Sequence, residues 1–496
     1  MPNLYPYEPT VYPFPNQPWD LDVRDWGAKG DGTTDDTTAI QNALNAAESY
    51  GGGIVFFPPG TYLISATIQL PSKVYMKGVA GTTYNFIDLS RDKFLPRVNT
   101  VIKLKDAAPS GIAMIEPKNP NDFSSAGIEN LILDGNKALQ TGSGYYGIKI
   151  SDAPTPAYMY GNRSQAQFRN IIVYQVKGIG FYAGYNQHEL FLDGVTAFDC
   201  SSDGFVLRGE DIKGTRIASG ANGGVGLKLP GSGSSSIASG AGRFFDVDCW
   251  SNLIGMEISD TMGYVFFQLQ LNLNKRGGLR IYSTTPQPPG FSPGDIRIYR
   301  GTFSQNSKDL HNGYSDIKLE PNTSGYGPFD IALIGCQFHG SASSPKPKYA
   351  IEDTSSIARR LIITDGLFIK SNYATGVSNK PQAIRDCFDY DTGDLLTESE
   401  LHYNWLAGNY NLGLGDGFVA IDAGAQARTV NLPLLSTMNV GRVFYVTKTD
   451  TTANVVTILA TGTDKINGVQ SVTLNGQYQT FMIIHAGTEW IGIKIA

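Results

Sequence analysis

A short pattern recurs through the middle of the chain: Gly or another small residue, an apolar residue, an outward-facing residue, then an apolar or small one. It reads Gly147-Ile148-Lys149-Ile150, Gly180-Phe181-Tyr182-Ala183, Gly204-Phe205-Val206-Leu207, Gly226-Leu227-Lys228-Leu229, Gly255-Met256-Glu257-Ile258 and Gly278-Leu279-Arg280-Ile281. Weaker copies stand at Asp316-Ile317-Lys318-Leu319 and Ala350-Ile351-Glu352-Asp353. The first apolar position steps from 205 to 227 to 256 to 279, intervals of 22, 29 and 23 residues. A second run precedes each copy, among them RNIIVYQV (169–176), LFLDGVTAFDC (190–200), RFFDVDC (243–249) and FFQLQLNLN (266–274). In most of these runs apolar and polar residues alternate, which turns one face inward and one outward. Repeats of about 20 to 30 residues, each holding two or three short strands, mean a solenoid. No run here reads as the long amphipathic helices that a doubly wound sheet needs. The pattern predicts an all-β chain built as a right-handed parallel β-helix of roughly 9 to 11 turns.

The two ends read differently. Ala, Asn and Gln over roughly 36–49 predict a helix, with N-cap side chains at Thr33 to Asp36 and a stop at Gly51-Gly52-Gly53. Such a helix would cap the open end of the solenoid core. After Cys387 the chain turns acidic and irregular, as a linker does. TVNLP, RVFYVTK, NVVTILA, SVTL, QTFMIIH and EWIGIKIA then predict a small antiparallel, sandwich-like β module. The expected order is an arm over 1–20, a cap over 21–64, the β-helix over 65–385, a linker over 386–405 and the module over 406–496. Trp490 reads as core of that module rather than as a sugar platform. Gly135-Asn136, Asn222-Gly223, Asn252 and Asn274 read as turn residues that tolerate a left-handed backbone.

Charge and cysteines narrow the function. The net charge is −6 with no basic block, so nucleic acid is not an expected partner. No apolar stretch of about 18 residues exists, so no membrane insertion is expected. The opening MPNLYPYEPTVYPFPNQPW has neither a basic n-region nor an apolar h-region, so no signal peptide is expected. Action outside a cell would then follow lysis. Cys200, Cys249, Cys336 and Cys387 match no zinc spacing. Cys200 and Cys249 fall two turns apart, roughly 10 Å against a limit of ~7 Å for a disulfide, so buried thiols are expected. Neither a metal nor a cofactor is called for.

Residues 21–64, LDVRDWGAKGDGTTDDTTAIQNALNAAESYGGGIVFFPPGTYLI, resemble the start of the pectate-lyase-like β-helix proteins. That superfamily includes phage tailspike depolymerases, mannuronan epimerases and polygalacturonase relatives. The Asp-Pro-His of the epimerases and the Gly-His-Gly of the polygalacturonases are absent. The C-terminal T-V-x-L-P, G-R-x-F-x-V and final W-I-x-I resemble a module common at the ends of phage tail proteins. The resemblance implies a tailspike that acts on a bacterial polysaccharide, on the virion tail or outside the cell after lysis. For the module it implies homotrimerisation or carbohydrate binding. Asp31, Asp35 and Asp36 of the signature are expected in turns and helix caps rather than at a metal.

Polysaccharide cleavage needs either two carboxylates for hydrolysis, or a base and cations for lyase chemistry at a uronate. Either would lie on the outward columns. One runs Lys149, Tyr182, Val206, Lys228, Glu257, Arg280, Lys318, Glu352. The other runs Ser151, Gly184, Arg208, Pro230, Ser259, Tyr282, Glu320, Thr354. Acids, cations and rings coincide over turns 204–282. The expected catalytic residues are Glu257, Asp260, Asp203 and Glu210. The expected substrate-binding residues are Tyr182, Arg208, Lys228, Trp250, Arg280 and Tyr282. Flanked by two cations, Glu257 suits a base or nucleophile better than an acid. The same row also reads as a solvated ion ladder worth little energy. The functional expectation is endo-glycosidic hydrolysis. The alternatives are a lyase using Arg280 or Lys228 with Tyr182, or a non-catalytic receptor-binding spike.

Overall fold

The computed structural model describes residues 20–79, 99–120, 123–150, 165–184, 189–231, 240–283, 293–321, 328–354, 361–378, 383–385, 387–391, 395–396, 405–406, 408–412, 418–438 and 440–495. The chain divides into two compact units, residues 1–224 and 225–496. Each contains right-handed parallel β-helix, as the repeat predicts. Two families of strands build it: a long sheet from the runs that precede each repeat, and a second sheet from the repeats themselves.

The predicted register holds position by position. In the first unit Ile148 pairs with Phe181, and Phe181 with Phe205. In the second, Leu227, Met256, Leu279, Ile317 and Ile351 stack in one row. These residues are buried, so the inward row is a continuous apolar stack. The glycine that opens each repeat marks where backbones touch. A Cβ on Gly255 would lie 2.7 Å from the Gly278 carbonyl oxygen.

The eight- and nine-residue strands of the long sheet are each bent by one residue in the left-handed region. In the first unit the bends fall at Asn130, Asn170, Gly194 and Arg216; in the second, at Asp246 and Gln268. The bend lets one run serve two sides of the solenoid. Farther on it becomes a break: Gly294–Tyr299 and Thr302–Ser304 are separate strands, with Arg300 at φ 56° between them.

Asparagines close the next corner, in a different way from the turn role expected of them. The left-handed backbone belongs to the preceding residues, Ala221, Ser251 and Leu273. Asn222, Asn252 and Asn274 themselves are buried. Asn274 accepts the Asn252 N–H at 3.0 Å and donates to the Cys249 carbonyl and to Asn306 Oδ1. Asn306 donates to Asp316, which also accepts the Tyr373 hydroxyl at 2.6 Å. Side-chain amides thus supply the hydrogen bonds that corner backbone lacks. Burial pushes Asp316 up to about 6, against the pull of its two donors.

The cap differs in detail from its expectation. The helix runs Thr37–Ser49 and buries Ile40, Ala43, Leu44 and Ala47. Parallel pairing begins inside the segment read as cap, with Asp20–Asp22 against Gly53–Phe56. Asp31–Asp35, expected in a turn, is a strand paired with Gly60–Ile64. Asp35 caps the helix by accepting the Thr37 N–H. Asp36 turns inward and accepts from Lys29 and Gly30. Bonds from Thr33 and Thr34 hold Asp31 well below the usual carboxylate range. All four cysteines are free and buried, as expected for Cys200 and Cys249.

The C-terminal strands form where predicted, but they are not all antiparallel. Trp405–Leu406, Phe418–Ile421 and Val443–Lys448 pair parallel, as do Tyr410–Asn411, Arg428–Asn431 and Val456–Leu459. The later pairs, with Ser471–Leu474, Thr480–His485 and Trp490–Ile495, are antiparallel. The first strands alternate between two sheets, as solenoid winding does, whereas the antiparallel pairs are two hairpins and the non-consecutive pair Val443–Lys448 with Thr480–His485. Trp490 is fully buried in this core.

Two outcomes follow. Asn274→Ala leaves the Asn252 N–H and the Cys249 carbonyl without their partner, at roughly 2–4 kcal/mol for buried polar groups. It should lower the denaturant midpoint accordingly. Asp316, raised when folded, stabilises the protein fully below its ordinary value of 3.8, and that stability is lost as pH rises through about 6. Asp316→Asn should therefore melt above wild type at pH 7, with the difference closing toward pH 4.

Candidate active site

The second sheet of the second unit carries the densest row of charge. Its strands Val225–Pro230, Ile254–Ser259, Leu279–Tyr282, Ile317–Glu320 and Tyr349–Asp353 pair in parallel. Alternation turns Lys228, Glu257, Arg280, Lys318 and Glu352 outward in one row, as predicted. Pro230, Ser259, Tyr282 and Glu320 form the next. Successive rungs of a sheet are about 4.8 Å apart, so each charge meets the one above and below it.

Unlike charges in these two rows interlock, with Arg280 and Lys318 as neighbouring cations. Glu257 Oε1 accepts from Arg280 Nη1 at 3.1 Å, and Lys228 Nζ lies 3.7 Å from Oε2. The Tyr282 hydroxyl donates to Oε2 at 3.4 Å. Arg280 Nε also donates to Glu320 Oε2 at 2.5 Å, and Lys318 Nζ holds Glu320 Oε1 at 2.6 Å. The Arg280 guanidinium sits 4.1 Å from the centre of the Tyr282 ring. Glu257 is only 4% exposed. It is therefore not the solvated ladder that the sequence also allowed. A carboxylate sealed under two cations is costly to strand, unlike an exposed pair.

These neighbours shift one another. Burial pushes Glu320 up, but the bonds from Lys318 and Arg280 outweigh it and leave the acid below its ordinary value. Burial works against the charge of Arg280, yet Glu320 and Glu257 raise it overall. Tyr282 is raised by burial, then by the charge of Glu257.

Asp260 follows the strand of Glu257, with φ 51° and a half-buried side chain. Its Oδ1 accepts from Ser283 Oγ at 2.8 Å. Ser283 follows Tyr282, so Asp260, Ser283 and Tyr282 lie together at one end of the strands. Beside the row opens a small, shallow pocket lined in part by Arg276, Arg280, Tyr314, Lys318 and Glu352.

Not every expected residue joins this group. Trp250 ends the long-sheet strand Gly242–Trp250, so it stands on a different sheet from Glu257. Asp246 and Asp248 stand on that same strand, and burial, then the charge of Asp246, pushes Asp248 up to about 6. Tyr182, Arg208, Asp203 and Glu210 belong to the first unit. There Lys149 pairs in register with Tyr182, and Lys149 Nζ lies 4.9 Å from the Tyr146 ring centre. Tyr146 meets Tyr182 edge to face at 5.8 Å. Asp203 and Glu210 flank the strand Phe205–Leu207. The Asp203 carbonyl accepts the Gly180 N–H, a rung-to-rung bond. Sequence reasoning missed Glu320 and Ser283 as members of the site. Glu320 was legible, standing in line with Tyr282; nothing in the sequence marks the Ser283 bond. Among the described residues no group of three His, Cys, Asp or Glu converges as a metal site. No helix among them is long and apolar enough to cross a membrane.

Known proteins resemble different lengths of the chain. The family model described as rhamnogalacturonase A/epimerase, pectate lyase-like, matches residues 21–229. The mannuronan C5-epimerase AlgE6 of Azotobacter vinelandii is 31% identical over 197 residues, 38% of this chain and 20% of its own length. The plasmin and fibronectin-binding protein A of Streptococcus pneumoniae is 48% identical over 157 residues, 30% of this chain and 20% of its own length. The matched stretch thus spans a fifth of either relative. Among solved structures, the enzymatically active domain of tailspike protein 2 of bacteriophage CBA120 aligns with a TM-score of 0.50 at 12% identity. That alignment covers 96% of this chain and 70% of the tailspike domain, and it speaks for the fold. Over residues 21–229, less than half of its length, the chain is similar to the rhamnogalacturonase A/epimerase family of pectate lyase-like proteins.

Proposed function

We propose that the protein is a tailspike-type depolymerase, a homotrimer of the virion tail that hydrolyses a bacterial surface polysaccharide within the chain. Capsule, O-antigen and wall polymer are the substrate classes. The observation that carries this reading is the Glu257 row. A carboxylate is held between Lys228 and Arg280 and bonded by Tyr282, with Asp260 three residues on. The tailspike fold of an enzymatically active domain supports the same reading.

The proposed chemistry follows from spacing. Three residues of extended chain span about 10 Å, and side chains reach back over part of it. That suits the ~6.5–9.5 Å between the two carboxyl groups of inverting glycosidases, which leaves room for a water. Glu257, oriented by its cations, takes the proton of that water. Asp260 gives its proton to the leaving glycosidic oxygen. Lys228, Arg280 and Tyr282 line the sugar path. In this reading residues 65–385 carry the groove and 406–496 the assembly module.

A second reading rests on the first unit, where Lys149 stands beside Tyr182 within the stretch that resembles the epimerases. There a phenolate would take the proton next to a uronate carboxylate, and the bond to the leaving oxygen would break as a double bond forms. The pneumococcal relative, named for binding, favours a third reading without catalysis.

Incubation with host polysaccharide should shorten the polymer, and each new end should carry the mass of one added water. Ends with an ultraviolet-absorbing double bond and no added water select elimination. An unshortened polymer that still binds selects the receptor reading. Glu257→Gln and Asp260→Asn keep shape and should lower cleavage roughly 10²- to 10⁴-fold, with circular dichroism unchanged. Full activity in both moves the chemistry off this row.

A further inference from the structure

The small pocket beside the Glu257 row is lined by three cations and one acid: Arg276, Arg280, Lys318 and Glu352. The acid is already answered. Glu352 is 8% exposed, and its two oxygens accept from Lys348 Nζ at 2.8 Å and Ser315 Oγ at 2.9 Å. The cations are held in place but keep donors to spare. Arg280 commits Nη1 to Glu257 and Nε to Glu320, and its guanidinium sits over the Tyr282 ring. Its Nη2 has no hydrogen-bond partner among the described residues. Arg276 commits only Nε, to Asp309 at 3.3 Å, and Lys318 Nζ holds only Glu320. The Tyr314 hydroxyl on the same wall likewise has no partner among the described residues.

Charge decides what such a set accepts. In and beside the pocket, Lys228, Arg276, Arg280, Lys318 and Lys348 pair with Glu257, Asp309, Glu320 and Glu352, five cations against four acids. One positive charge is left over, in a chain whose net charge is −6. A carboxylate matches that surplus and presents two oxygens to the planar N–H edges of Arg276 and Arg280. A phosphate monoester, at about two negative charges near neutral pH, overshoots it. A neutral sugar leaves it unanswered. Position matters as well. Gly277 and Ser315, which line the pocket, precede the strands Leu279–Tyr282 and Ile317–Glu320. Asp260 and its partner Ser283 follow the strands Ile254–Ser259 and Leu279–Tyr282. The pocket and Asp260 thus stand at opposite ends of the strands, roughly 10 Å apart over four extended residues.

We infer that this pocket takes a carboxylate of the polymer, carried on a sugar other than the one whose bond breaks. The assignment rests on the hydrolase reading above and names its substrate class, an acidic polysaccharide recognised at a distance from the cleaved bond. Elimination would need that carboxylate beside the abstracted proton instead. The test compares affinity for the host polysaccharide, intact and after carbodiimide-promoted reduction of its carboxyl groups to alcohols. Affinity is read as KM where the polymer is cut and as Kd where it is not. Wild type should bind the intact polymer about tenfold tighter than the reduced one, the worth of one hydrogen bond to a charged group. Arg276→Gln, with circular dichroism unchanged, should lose that preference, keep wild-type affinity for the reduced polymer and keep kcat. Equal wild-type affinity for both polymers, or an equal loss on both in Arg276→Gln, overturns the inference. A carboxyl preference that Arg276→Gln abolishes, on a polymer left uncut, upholds the pocket and overturns the hydrolase reading.

Discussion

Rung-on-rung stacking in strict register is the constraint on which the rest of this structure depends. With parallel strands about 4.8 Å apart, every side chain meets the equivalent side chain of the next turn before it meets anything else. Each position must therefore suit a column of its neighbours. Inward, that produces unbroken rows such as Leu227, Met256, Leu279, Ile317 and Ile351. Where backbones close on one another it excludes a Cβ, as at Gly255. At the buried corner it selects Asn, whose amide can donate to one rung and accept from another. On the outward face it brings unlike charges together, Glu257 with Lys228 and Arg280, and Glu320 with Arg280 and Lys318.

The same constraint sets the geometry of the candidate site. Cations stacked above and below Glu257 satisfy both of its oxygens and fix their direction, so the carboxylate is positioned without a loop to hold it. The row lies in the second unit, whereas the family match at residues 21–229 falls almost wholly in the first. The two halves of the chain thus give different kinds of support. One gives a likeness to the rhamnogalacturonase A/epimerase family, and the other gives the arrangement of acids and cations. Hydrolysis at Glu257 and elimination at Tyr182 are for this reason separate readings, each tied to its own residues.

Much of this was legible in the sequence because the repeat states its own register. A Gly before each apolar-X-apolar strand fixes the phase, so Lys228, Glu257, Arg280 and Lys318 could be aligned by inspection. The failures share a physical origin. A one-dimensional pattern does not say which of two sheets a strand joins, and so Trp250 was grouped with residues from which the corner separates it. Nor does it say which residue of a tight corner takes the left-handed backbone. Asn252 was expected to, but Ser251 does, because the Asn side chain is needed indoors. The burial of Glu257 was hidden because it depends on the partners that fold over it.

The most direct measurement is a crystal structure of the protein soaked with the longest oligosaccharide released from its host polymer. The account predicts sugar rings running along the second sheet of the second unit, with a glycosidic oxygen within hydrogen-bond reach of Asp260 and the sugar-ring face against Lys228, Arg280 and Tyr282. Sugar bound instead over Lys149 and Tyr182, or along the long sheet at Asp248, with the Glu257 row bare, would contradict it.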